Sequence, residues 1–242
     1  VTAEQGAKPW RRREQVGPAT LYLGDQSEIL TALQLSNSVA IVSDPPYGIA
    51  YQHSGGGKGL SDNRNTKAVA GDDVPFDPAP FLRFDHVIMW GGNHFAARLP
   101  HGRWLAWDKL AGVNLNDAFS DVEFAWMKGR GKDRIYSHLW KGLLKASEKG
   151  VSRVHPTQKP IALMEWCIGL VPGASVIVDP FMGSGTTGVA ALNMGKRFIG
   201  CELDEEHFES AFRRMTEAHQ QADLVTPQPD EPAPVQQGLA GL

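Results

Sequence analysis

The four residues Asp44-Pro45-Pro46-Tyr47 place a carboxylate, a rigid proline pair and an aromatic ring side by side. Before them, Val39-Ala40-Ile41-Val42-Ser43 is an apolar, β-branched run that predicts a buried strand. A strand ending in two prolines cannot extend its ladder, so its last carbonyls are left unpaired and fixed in direction. A carboxylate, fixed carbonyls and an aromatic face together suit an exocyclic amino group on a flat base. The lone pair of such an amine is delocalised into the ring, which makes it a poor nucleophile. Acceptors that hold both N–H groups favour the pyramidal form that can attack, while Tyr47 stacks on the base.

A second constellation runs from Val176 to Gly188: a short apolar strand, then Asp179-Pro180-Phe181-Met182-Gly183-Ser184-Gly185-Thr186-Thr187-Gly188. Gly183, Gly185 and Gly188 have the spacing of a nucleotide-binding turn, in which absent side chains let backbone N–H groups reach a ligand at a helix N-terminus. Glu202, at the end of the next predicted strand, stands where an acid accepts hydrogen bonds from ribose hydroxyls. The pair specifies an adenosine-containing ligand. Lys196 lacks the loop that a phosphate-binding lysine requires, which argues against an NTPase.

On these residues the chain resembles the amino DNA methyltransferases, which move a methyl group from S-adenosylmethionine to the exocyclic nitrogen of adenine or cytosine. Asp44-Pro45-Pro46-Tyr47 is similar to their catalytic motif, and the Asp179 to Thr187 segment to their cofactor motif. His155-Pro156-Thr157-Gln158-Lys159-Pro160 resembles the element before the cofactor strand, and Leu23-Gly24-Asp25 a fourth match on the first strand. The order, catalytic motif first, is similar to the permuted beta group and to orphan adenine methyltransferases of phages and prophages. The resemblance implies that Asp44 and the Pro45 carbonyl hold the amine, with Pro46 and Tyr47 completing the catalytic set. It implies a cofactor pocket lined by Asp44, Asp179, Phe181, Gly183, Ser184, Gly185, Thr186 and Thr187, with Glu202 at the ribose, Asp25 near the adenine, and Thr157 and Lys159 near the methionine end. No metal is expected. Aspartate at the head of the tetrad makes adenine the more usual target in the family, with cytosine N4 the alternative.

A base inside a duplex cannot reach Tyr47, so it must be flipped out. Residues 128–153 carry eight Lys and Arg against Asp133 and Glu148, although the whole chain has a formal charge of −3. Lys128, Arg130, Lys132, Arg134, Lys141 and Lys145 are therefore the expected DNA contacts. The glycine-rich stretch 52–73 is a candidate loop beside the tetrad, and His94 a candidate for the cleft.

Positioning these groups requires strands alternating with helices. Short apolar runs at Leu21–Leu23, Val39–Ser43, His86–Trp90, Trp104–Trp107, Val122–Met127, Val176–Val178 and Phe198–Cys201 predict strands. Phe208, Ala211, Phe212 and Met215 predict a helix after a capping Asp204, and a second helix begins at Pro160 with Ile161, Met164 and Ile168 inward. The expected fold class is α/β: a Rossmann-like, doubly wound, mostly parallel sheet in one domain with a small basic insertion. Residues 1–18 read as a flexible basic arm, 19–219 as the catalytic domain and 220–242 as a disordered Pro- and Gln-rich tail.

With 42% hydrophobic and 21% charged residues among 242, the chain can bury a sizeable core and is not disordered throughout. Two cysteines, Cys167 and Cys201, exclude a disulfide scaffold and favour a reducing, cytoplasmic setting. No membrane span or obligate protein partner is expected. Two other classes remain for comparison. An NAD-dependent oxidoreductase accounts for the glycine turn but leaves Asp44 to Tyr47 and the His155 element without a role; a non-catalytic DNA-binding module requires a broken site.

Overall fold

The computed structural model describes residues 8–49, 72–114, 120–141, 144–148 and 158–225. Nine strands form one sheet: β1 (Arg12–Val16), β2 (Ala19–Leu23), β3 (Ala40–Ser43), β4 (His86–Trp90), β5 (Gly102–Asp108), β6 (Val122–Lys128), β7 (Arg134–Ser137), β10 (Val176–Asp179) and β11 (Arg197–Glu202). A separate hairpin pairs β8 (Trp140–Lys141) with β9 (Leu144–Lys145). The helices are α1 (Gln26–Leu33), α2 (Ile161–Gly169), α3 (Thr186–Asn193) and α4 (Glu205–Val225). The sheet order is β1-β2-β11-β10-β3-β4-β6-β5-β7. It is parallel from β2 through β4; β1 and β6 run against their neighbours.

Both faces are covered, which explains why β3 and β10 read as continuous apolar runs rather than alternating ones. On one face α2, α3 and α4 bury Leu163, Met164, Val189, Phe208 and Met215 against Leu21, Val42, Ile88, Trp90 and Trp107. On the other, Ile29 and Leu30 of α1 join Phe76, Phe81, Phe84 and Phe95 over Ile41, Val87, Met89 and Trp126. All seven predicted strands are present. The predicted helices are α2 and α4, the latter capped by Asp204, whose Oδ1 accepts from the N–H groups of Glu206 (2.9 Å) and His207 (3.1 Å).

Two expected boundaries move. The basic arm is ordered from within: Arg12–Val16 form the edge strand β1, antiparallel to β2, because alternate residues Arg12, Glu14 and Val16 turn toward α4 and give the segment something to pack on. At the other end α4 continues to Val225, past the expected start of the tail. No helix among the described residues is long and apolar enough to cross a membrane.

Candidate active site

Parallel strands point their carboxyl ends the same way, so the residues following β2, β3, β10 and β11 converge on one end of the sheet. Asp44 follows β3 there. Its Oδ1 accepts a 2.6 Å hydrogen bond from the Tyr47 hydroxyl, and its Oδ2 is ion-paired with the Lys159 ammonium. Lys159 also donates to the Tyr47 hydroxyl at 3.3 Å. Tyr47 stacks on His94, with centroids 5.0 Å apart and planes 14° from parallel. A Cβ at Gly91 would collide with the Tyr47 ring, so the left-handed turn there is reserved for glycine. The fold thus brings together Asp44, Tyr47, Lys159 and His94, four residues that are scattered over three segments of the sequence.

Lys159 is only 5% exposed and sits between two carboxylates, Asp44 and Glu123, the latter at 3.5 Å. Burial pulls the ammonium pKa down, but Asp44, Tyr47 and Glu123 outweigh it and hold Lys159 protonated well above its ordinary range. Burial likewise opposes ionisation of Glu123, yet Lys159 and Lys109 hold its carboxyl below the usual value. Tyr47 is pushed well above the usual phenol value, by burial first and then by Asp44, so its hydroxyl stays protonated and donates. The segment carrying Lys159 is fastened from two sides: Trp140 Nε1 donates to the Gln158 carbonyl (3.1 Å), and Glu148 accepts from the Ile161 N–H (2.9 Å) at the start of α2.

Two positioning residues carried no motif signal. Asp72, 5% exposed, accepts from the backbone N–H groups of Tyr47 and Gly48, both at 2.9 Å, and so fixes the chain leaving the proline pair. Glu123 enters from β6, far away in sequence, and no local pattern marks it.

The glycine turn joins β10 to α3. Gly183 and Gly185 adopt left-handed φ values of 50° and 79°. Space is open where a Cβ of Gly183 would stand, whereas a Cβ on Gly185 would lie 2.9 Å from that of Ala211. Glu202 accepts from Gly183 N (2.9 Å) through Oε2, and from Leu203 N and Asp204 N (both 2.8 Å) through Oε1. A carboxylate has about four acceptor sites, so one on Oε2 is left for a ligand hydroxyl. Burial raises the Glu202 pKa and these N–H groups act against it. Arg214 of α4 holds the turn from behind, donating to the Ser184 carbonyl (2.6 Å), Ser184 Oγ (3.0 Å) and Thr186 Oγ1 (3.2 Å). Phe181 stands edge-on to Phe76 and Phe81.

Other expected cofactor residues prove to be committed elsewhere. Asp179 is buried, with its oxygens taken by Ser43 Oγ (2.6 Å), Thr187 Oγ1 (2.6 Å) and Phe181 N (3.1 Å). It ties β10, β3 and α3 together rather than facing a ligand, because a hydroxyl from each neighbouring element reaches it first. Asp25 caps α1, accepting from Ser27 N (2.8 Å), Glu28 N (3.3 Å) and the Ser27 hydroxyl. Thr157 and the glycine-rich stretch through residue 71 lie outside the described residues.

The basic run is not one continuous track. Lys128 is turned inward, donating to the carbonyls of Leu82 (2.8 Å) and Phe84 (2.7 Å), at the end of the sheet away from Asp44. The turn bearing Arg130 and Lys132 follows it there, because β6 runs against β4 and carries the chain back from the site. Arg134 opens β7 at the far edge. Lys141 is buried and paired with Asp121 (2.7 Å), and Lys145 lies 4.8 Å over the Trp140 ring.

The family profile described as DNA methylase, of the N6/N4 type, matches residues 122–213. Over these residues the chain is similar to the N6/N4 DNA methylases. Two curated relatives of this methylase segment are the type II methyltransferases M2.DpnII of Streptococcus pneumoniae and M2.LlaDCHI of Lactococcus lactis subsp. cremoris. They are 41% and 42% identical to it over 91 residues, which is 37% of this chain and 34% of each relative. The match thus spans about a third of the length of those relatives. Two solved structures share the fold: M1.HpyAVI in its SAM complex, with a TM-score of 0.50, 21% identity and coverage of 81% of this chain and 98% of that one; and PvuII DNA methyltransferase, cytosine-N4-specific, with 0.53, 14%, 88% and 95%.

Proposed function

We propose that this protein transfers a methyl group from S-adenosylmethionine to the exocyclic N6 amino group of adenine in DNA. The observation that carries the reading is the meeting, at one end of the sheet, of Asp44 and Tyr47 after β3 with the Glu202-bound glycine turn after β10. A carboxylate and an aromatic ring thereby stand beside a turn built for an adenosine moiety. The open space at Gly183 and the remaining acceptor on Glu202 fit a ribose, and the methylase family match, together with the name of the M1.HpyAVI complex, supports the same cofactor.

The cofactor, when bound, supplies a methyl group already activated on a sulfonium. The chain's own residues orient the acceptor. Each Asp44 oxygen keeps acceptor capacity beyond its bond to Tyr47 or Lys159, enough to take N–H groups of the target amine. The Pro45 carbonyl supplies a second acceptor. The Tyr47–His94 stack is the platform for the flipped base. Lys159 and Tyr47 fix the direction of the Asp44 carboxylate, and accepting the amine N–H groups suffices, since the amine loses its proton readily once methylated. Positioning for in-line transfer supplies most of the rate. Of the basic run, Lys145 is the proposed contact to the DNA backbone, whereas Lys128 and Lys141 act first within the fold.

Incubation with unmethylated genomic DNA and labelled S-adenosylmethionine, followed by nucleoside analysis, tests the proposal. Labelled N6-methyladenine supports it; N4-methylcytosine keeps the mechanism and replaces the base; absence of label with bound cofactor removes DNA as the substrate.

A further inference from the structure

We propose that the outer face of β1, at the sheet edge opposite β7, grips the phosphodiester backbone of duplex DNA beside the target base. The inference rests on DNA being the substrate. Along β1 the side chains alternate: Arg12, Glu14 and Val16 turn toward α4, while Arg11 just before the strand, Arg13 and Gln15 are exposed on the opposite face. On the inner face charge is balanced, since Arg12 pairs with Glu14 at 2.7 Å and with Glu209. On the outer face it is not. Arg11 donates to the Leu203 carbonyl, and Arg13 lies 5.9 Å over the Tyr22 ring with the Gln15 amide oxygen, at 3.5 Å, as its polar partner among the described residues. Lys8, Arg11 and Arg13 make no ion pair with any described residue. With Trp10, Arg12 and Tyr22 they line an open pocket of about 570 Å³, where Trp10 and Tyr22 meet edge to face at 4.9 Å. Guanidinium groups steadied on rings and carbonyls are preoriented for phosphate oxygens.

The location matches the chemistry. Arg11 N donates to the Leu23 carbonyl and Leu23 pairs with Glu202, so these cations stand at the same end of the sheet as Asp44. β3 is the central strand, four places from β1 and four from β7. At ~4.8 Å per strand the β1 edge lies roughly 19 Å from Asp44. That is about six base pairs of duplex at ~3.4 Å each, close to half a helical turn. A duplex laid across the carboxyl ends of the strands, with one base turned out over Tyr47, meets the Lys8 and Arg13 face of β1 on one side. An acidic or neutral protein partner has no such matching distance to the site.

The test is the salt dependence of affinity for a labelled unmethylated duplex, for the unaltered protein and for the Lys8→Gln/Arg13→Gln double variant. Arg11 is left in place because its bond to Leu203 adjoins Glu202. The slope of log affinity against log salt should shrink by about 1.8 in the variant, ~0.9 for each phosphate no longer neutralised, with KM for DNA raised several-fold. Unchanged S-adenosylmethionine affinity in calorimetry shows that the variant is folded. An unchanged slope in a folded variant overturns the inference. Salt-independent binding or no binding by the unaltered protein overturns the DNA-substrate reading instead, and that is seen before any variant is made.

Discussion

Asp44 is held by a phenol on one oxygen and an ammonium on the other, and the consequences of removing it are sharp. Asp44→Ala should lower methyl transfer at least ~10²-fold, comparable to removing one preorganised hydrogen-bonding group from an active site. Cofactor affinity should stay near normal; substantial turnover in the variant would remove Asp44 from the reaction. Glu123→Gln is the subtler change. It leaves Lys159 with Asp44 as its dominant counter-ion, tightening that pair and weakening Asp44 as an acceptor for the amine. We expect kcat to fall roughly tenfold with little change in KM for the cofactor. Glu123 is about a third exposed, with a side-chain value of 36%, so solvent screening limits the stability loss to about 1 kcal/mol. A fall in melting temperature without a fall in kcat would make Glu123 structural only.

The glycine turn depends on α4, an element that contributes nothing to it in sequence. Arg214 reaches across to three oxygens of Ser184 and Thr186, and charge-assisted bonds of this kind are each worth about 1.5–3 kcal/mol. Arg214 is partly buried, and burial draws its pKa below the ordinary value. Arg214→Met should therefore loosen the turn and weaken S-adenosylmethionine binding about tenfold or more, read by calorimetry, while leaving the Asp44–Tyr47 geometry intact. Equal cofactor affinity in the variant would show that the glycine conformations alone hold the turn. The same logic explains Asp25, which lies at the end of β2 where a ligand contact is expected but whose carboxylate caps α1 instead.

Across the fold, Asp179 joins three elements and couples stability to pH. Burial raises its pKa from 3.8 to about 6, against the lowering effects of Ser43, Thr187 and the Phe181 N–H. A carboxyl whose folded value is raised contributes stability that is complete below its unfolded pKa and is lost as pH rises through the folded one. Between pH ~3.8 and ~6 the protein should lose stability relative to an Asp179→Asn variant, by on the order of 3 kcal/mol. Chemical denaturation of both proteins across that range measures it. A difference that does not vary with pH would mean that Asp179 is ionised throughout.

The strands were legible because both faces of this sheet are covered, so β3, β4, β10 and β11 are apolar runs that need no partner to be recognised. The tetrad, the glycine turn and Glu202 were legible because their chemistry depends on neighbours in sequence: prolines end a strand, and glycines admit left-handed backbone. Other features depended on packing across the sheet. Arg12–Val16 becomes a strand only because β2 lends it an edge and α4 a surface. Glu123 and Asp72 join the site from distant segments, and Asp179, placed by its motif at the ligand, is claimed by hydroxyls from β3 and α3. The basic run read as one patch because its residues are close in sequence, but β6 reverses against β4 and carries Lys128, Arg130 and Lys132 away from Asp44. Local chemistry fixed which groups could react; strand direction and packing decided which of them meet, because a side chain's partner is set by the three-dimensional path of the backbone and not by its distance along the chain.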